Sequence, residues 1–264
     1  MAQSSGDYYI KQGLTKNVMG HYQHAIYDFD MAIELGTEDI NRAYNLRGMA
    51  KYSLGQYEEA IKDYDKAIEL DPGERDAYHF RALANYEMGN YEEAIKDYDV
   101  DVQHNPDNME AYFSRGMAKR KLNRHAEAIK DFDKSLKINP RFAEAYHERG
   151  NSKFDMQLYR ECIRDFDKAL RFHSGLIDAL AARAAAKAKL GMPIPALKDA
   201  EELIKLKPED ARGYFLRAQA NRALGREELA QQDAQKGMDI VQEAGGSVPG
   251  MKVTIMPLPE EDEK

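Results

Sequence analysis

Between residues 6 and 244 one pattern of small, aromatic and charged residues returns every 34 residues, and this period limits the fold more than the length does. A chain of 264 residues would otherwise suggest one or two globular domains. A period of this size instead means one short structural unit repeated, with each copy burying its apolar face against the next. The 34-residue units leave five residues at the start, one extra residue between the first two copies, and twenty at the end. The sequence therefore divides into an N-terminal extension (1–5), a repeat array (6–244) and a C-terminal tail (245–264).

Within the period, small residues recur at position 8 as Gly13, Gly48, Ala82, Gly116, Gly150, Ala184 and Ala218. They recur at position 20 as Ala25, Ala60, Ala94, Ala128, Cys162, Ala196 and Ala230. Two helices approach closely only where side chains are small, so these columns predict the contact between two helices of each repeat. Large residues alternate with them. Position 4 carries Tyr9, Tyr44, Tyr78, Tyr112, Tyr146, Leu180 and Tyr214, and position 24 carries Phe29, Tyr64, Tyr98, Phe132 and Phe166. Small against large is how a core interdigitates without voids.

The punctuation agrees with two helices per unit. Gly20, Gly55, Gly89, Gly191 and Gly225 fall where the first helix ends, a place that favours a left-handed residue. Asn123 tolerates that conformation in the fourth unit, whereas Gln157 in the fifth is expected to do so poorly. Pro72, Pro106, Pro140 and Pro208 separate successive units. Strand signals are nearly absent before the tail, so the fold class is all-α.

The run Tyr44, Gly48, Gly55, Tyr57, Ala60, Tyr64, Ala67, Pro72 resembles the tetratricopeptide repeat pattern, with Tyr where the first position often has Trp. The resemblance extends over seven consecutive units. It implies a right-handed superhelical solenoid of helix-turn-helix repeats, with a concave groove lined by the first helix of each. Its family role is a scaffold for protein partners.

Positions 2, 5, 9 and 12 share one face of the first helix, and the resemblance places that face on the groove. The expected groove residues are Asn45, Met49 and Tyr52, then His79, Leu83 and Tyr86. Phe113, Met117 and Arg120 follow, then His147, Asn151 and Phe154, and Phe215 with Gln219 and Arg222. Adaptable methionine and rigid aromatic rings suit recognition of a peptide or a partner's helix. Leu83 and Met117 are also candidates for simple packing between adjacent first helices. Chaperone-binding members of the family hold a terminal carboxylate with fixed cations and amides. Here those places carry Ile10, Leu14, Leu46, Asp76 and Phe80, so no such clamp is expected.

Two charged columns recur more strictly than much of the core. Asp28, Asp63, Asp97, Asp131, Asp165, Asp199 and Asp233 mark the second helix, and Arg47, Arg81, Arg115, Arg149, Arg183 and Arg217 mark the first. The expectation is a staple from each Asp to the Arg of the following repeat, Asp63 to Arg81 for example. A neighbouring column, Asp30, Asp65, Asp99, Asp133 and Asp167, is available to supply or share the partner. Asp101 stands where other repeats have small or apolar residues, so it needs a partner or solvent. Repeats six and seven lose the aromatic at position 24 (Ala200, Ala234) and are expected to pack more thinly.

Several function classes are excluded. No apolar run reaches the length of a membrane span. A net charge of −8 argues against a general binder of nucleic-acid backbone. A single cysteine, Cys162, permits no intrachain disulfide and fits a reducing, cytoplasmic setting; its place in a small-residue column predicts a buried, inert thiol. Phosphate-loop, dinucleotide, HExxH and CxxC motifs are missing, and the pair His21 and His24 lacks a third ligand. No enzyme activity, cofactor or metal is expected. The tail opens with the flexible stretch GGSVPG and then runs through an alternating apolar segment, residues 251–259. That segment is either a terminus without fixed structure or an extended strand that occupies a groove, its own or a neighbour's. The expected function is a non-enzymatic adaptor that binds a partner segment in its groove; the alternatives are a homo-oligomeric assembly protein and a regulatory subunit or co-chaperone without a carboxylate clamp.

Overall fold

A computed structural model describes residues 5–245, all of them in helices or short connections. In chain order the helices are α1 (Ser5–Val18), α2 (Tyr22–Leu35), α3 (Ile40–Ser53), α4 (Tyr57–Leu70), α5 (Arg75–Glu87), α6 (Tyr91–His104) and α7 (Met109–Lys121). They continue with α8 (His125–Ile138), α9 (Ala143–Asp155), α10 (Tyr159–Phe172), α11 (Ile177–Lys189), α12 (Pro193–Leu206), α13 (Ala211–Ala223) and α14 (Glu227–Glu243). Odd-numbered helices are the first of each repeat and even-numbered ones the second. The chain divides into two compact units, Met1–Ser152 and Lys153–Lys264. In the first, α1–α2, α3–α4, α5–α6 and α7–α8 pack as hairpins and each hairpin packs on the next; in the second, α11–α12 and α13–α14 do the same.

The small-against-large columns close the hairpins. A β-carbon placed on Gly13, Gly48 or Gly116 would meet the ring of Phe29, Tyr64 or Phe132 at 2.5 to 2.8 Å. Those rings are fully buried, as are Tyr98 and Phe166. In repeat six, Ala200 is also fully buried, and Leu180, Leu203 and Leu216 surround it. Leu203 stands where other repeats carry Ala, Ser, Gly or Asp.

Turns between paired helices carry the left-handed residue that ends a helix. Gln157 adopts it (φ 62°) just as Asn123 does (φ 58°), contrary to the expectation from side-chain type. The cost is offset because the turn is determined on both sides by backbone bonds: Gln157 N–H donates to Phe154 C=O (2.8 Å) and Leu158 N–H to Lys153 C=O (2.9 Å). Cys162 is buried as expected, and burial pushes its thiol up to about 12, which keeps it protonated. No helix among the described residues is long and apolar enough to cross a membrane.

Candidate binding face

The recurring charges form a structural network rather than a ligand stripe. In five repeats the buried Asp is clamped by the Arg of its own repeat: Arg47 Nε and Nη2 donate to Asp63 at 2.9 and 2.5 Å, and Arg81 does the same to Asp97 at 2.9 and 2.7 Å. Arg115–Asp131, Arg183–Asp199 and Arg217–Asp233 repeat the bidentate geometry. The expected staple from Asp63 to Arg81 is therefore corrected. What crosses between repeats is the third donor: Arg81 Nη1 reaches Asp65 at 2.6 Å, and Arg115 Nη1 reaches Asp99 at 2.7 Å. The reason is helical spacing. Asp65 lies two residues beyond Asp63, which turns it away from its own first helix and toward the next hairpin. Where position 4 is Tyr, the guanidinium also lies over that ring of its own helix, Arg47 over Tyr44 at 5.1 Å and Arg115 over Tyr112 at 5.4 Å. The hydrogen bonds Arg81 donates to Asp97, working against the cost of burial, hold its guanidinium above its ordinary pKa.

Asp101 finds its partners, as it must. It is buried, its Oδ2 lies 2.8 Å from His79 Nδ1, and Asn108 Nδ2 donates to it at 3.3 Å. His79 is thereby committed to the interior of its repeat. Asn45 is buried, Met49 packs into the cores on both sides of it, and Leu83 packs against the Ala82–Ala94–Tyr98 core. Phe113 is wedged between Phe132 and Phe142, with ring centroids 5.8 and 4.8 Å away. The Phe215 ring fills the space beside Gly237. Met117 is half-buried, and Gln219 and Arg222 face solvent.

A second set combines partial exposure with organised polarity. Tyr52 and Tyr86 are half-buried and meet Tyr57 and Tyr91 at the start of the next helix, at 5.3 Å in both cases. In the other unit Phe154 makes the same contact with Tyr159 at 5.4 Å. Glu148 joins three expected residues on α7 and α9. Arg120 Nη1 lies 3.3 Å from its carboxylate, His147 Nδ1 3.3 Å, and Asn151 Nδ2 3.5 Å, while Asn151 also lies 3.2 Å from His147 Nε2. Burial disfavours the charged Glu148, yet His147, Arg120 and Asn151 together hold its pKa below the usual value. Burial, with the Tyr91 and Glu148 charges, pushes the Tyr86 phenol up to about 12. The network joins α7 to α9. Among the described residues no cluster of three or more His, Cys, Asp or Glu could hold a metal ion.

The sequence profile of the tetratricopeptide repeat matches residues 42–74, 75–108 and 110–142, one after another. Residues 42–142 are three tetratricopeptide repeats in succession. Comparison with curated proteins returns no match. Among solved structures, a tetratricopeptide repeat protein from Parabacteroides merdae aligns at 23% identity over 89% of this chain and 93% of its own, with a TM-score of 0.68. YrrB, described as a TPR protein with an unusual peptide-binding site, aligns at 22% identity over 70% and 95%, with a TM-score of 0.62. MamA aligns at 20% identity over 63% and 97%, with a TM-score of 0.60. At these identities the likeness shows the fold.

The tetratricopeptide repeats also contain a column that sequence reasoning missed. Position 11 carries Lys16, Lys51, Lys119, Lys153 and Lys187, and each donates to the buried Asp of its hairpin at 2.5 to 2.8 Å. Its spacing of four residues from the Arg column was the available signal, since i and i+4 share a helix face. Repeats three and seven have Asn85 and Asn221 there, and Asn221 donates to Asp233 at 3.2 Å. With one cation fewer, burial holds the Asp97 carboxyl above its ordinary pKa despite Arg81. A carboxyl raised in the folded state loses stability as pH rises through the normal carboxylate range. Asn85→Lys is therefore expected to stabilise the protein by about 1 kcal/mol near pH 7. The gain should shrink as pH falls and Asp97 protonates. Thermal melts of both proteins from about pH 4 to pH 7 check it.

Proposed function

We propose that this protein is a non-enzymatic interaction scaffold that takes a peptide or helix of a partner against the face of its first helices. The observation that carries this is the Arg120–Glu148–His147–Asn151 network beside Tyr86, a set of half-buried polar groups gathered on the first helices of two successive repeats. A partner's backbone or carboxylate would meet a fixed guanidinium and amide there, while Tyr52 and Tyr86 supply flat apolar area. The peptide-binding site named for YrrB, on the same fold, supports the same reading. Self-association through residues 251–259 has no such support, because that segment lies outside the described residues.

A random peptide library panned against the wild-type protein tests the proposal. Enriched peptides are expected to lose at least about tenfold in affinity for Arg120→Ala/Asn151→Ala, roughly 1.4 kcal/mol. Lys62→Ala on the second-helix side should leave affinity unchanged. Phe113 is unsuitable for this test because its ring is part of the core. Peptides that bind both variants as well as wild type would reject the assignment.

A further inference from the structure

Charge is unevenly distributed within the first compact unit. Residues 41–108 carry 15 Asp and Glu against 8 Lys and Arg, whereas residues 109–142 carry 9 Lys and Arg against 4 Asp and Glu. The excess is local and exposed. On α4 the outward pair three residues apart is Lys66 and Glu69, which form an ion pair at 2.9 Å. At the same places on α8 stand Lys134 and Lys137, both exposed, and no carboxylate among the described residues lies within ion-pair distance of either. Like charges at this spacing destabilise a helix slightly, and the helix C-terminus favours Lys137 only in part. Beside them the apolar Ile138 is 37% exposed.

The complementary surface lies two repeats earlier. The turn from α4 to α5 places four carboxylates within eight residues, from Glu69 to Asp76, around Leu70, which is 43% exposed. Burial and the charges of Asp76 and Asp71 raise the pKa of Glu74 in the same turn, against the opposing charge of Arg42 and a hydrogen bond from Asn41. Each patch has an exposed apolar residue; the rim of Ile138 is basic, and that of Leu70 is acidic on balance, its four carboxylates outnumbering Lys66 and Arg75. That is the anatomy of a small protein interface: an apolar centre, a polar rim and electrostatic register.

We propose that a second copy of this chain docks here, with Lys134, Lys137 and Ile138 of one copy against Glu69, Leu70 and Asp76 of the other. The contact uses second-helix and turn residues and leaves the Tyr86–Arg120 face free, so it is independent of the scaffold reading above. Sedimentation velocity of the full-length protein across a concentration series tests it. Self-association should be present at about 0.1 M salt and weaken at least about tenfold near 1 M, where screening falls to about 3 Å. Lys134→Glu/Lys137→Glu alone, or Glu69→Lys/Asp76→Lys alone, should each be monomeric with unchanged helical content. An equimolar mixture of the two variants should associate again, because every reversed charge then faces its opposite. A monomeric wild type, association insensitive to either reversal, or a mixture that stays monomeric would each overturn the proposal. So would tighter binding of Lys134 and Lys137 to a single-stranded oligonucleotide than to a second copy, which would make the basic face a polyanion site instead.

Discussion

Replacing Asp131 with alanine is expected to cost about 3 to 5 kcal/mol in urea or thermal denaturation, the range for removing one partner of a buried charge cluster. Asp131 is buried and receives three donors, two from Arg115 at 3.0 and 2.5 Å and one from Lys119 at 2.8 Å. Its loss leaves two cations, each less than one-fifth exposed, facing one another without a counter-charge. Asp131→Asn should fall between, since it keeps an acceptor but not the charge. Asp99→Ala is the control. It breaks the 2.7 Å contact from Arg115 to the previous repeat, but the Asp99 side chain is 57% exposed, so the loss should stay below about 1 kcal/mol. Equal costs at Asp131 and Asp99 would show that the bond between repeats, rather than the clamp within each hairpin, carries the stability.

Phe132→Ala is expected to cost about 3 to 5 kcal/mol as well, by a different mechanism. The ring is fully buried, lies against Gly116 and packs at 5.8 Å from Phe113. Gly116 has no side chain with which to fill the space, so the cavity persists. Repeat six already has alanine at this place, Ala200, but there Leu180, Leu203 and Leu216 surround it. A combined Gly116→Leu/Phe132→Ala variant should accordingly recover part of the loss. A cost below about 1 kcal/mol for Phe132→Ala would mean the hairpin collapses onto the void.

Much of this was readable in advance, for reasons visible in particular columns. Glycine opposite a large ring is a two-residue statement about close packing, and it holds at Gly13, Gly48 and Gly116 because hairpin geometry repeats with the period. Asp101 could be flagged from its column alone, since a buried carboxylate among small residues demands a partner; His79 and Asn108 supply it. The face of the first helices was less legible. Spacing places Asn45, Phe113 and Arg120 on one stripe, but their different depths follow from how closely neighbouring helices approach.

The 34-residue period, the helix pairing and the membership of polar residues in columns belong to the sequence itself, because a repeated local pattern must solve the same packing problem each time. Which Asp each Arg holds did not follow from the columns. Spacing along the chain allowed Arg81 to take Asp63, Asp65 or Asp97, and only the crossing of α5 with α4 and α6 put two of these within 3 Å. The same is true of the Arg120–Glu148 contact and of the exposed lysines on α8. A periodic pattern says which residues are equivalent, while the reach and direction of long charged side chains depend on where the next hairpin lies.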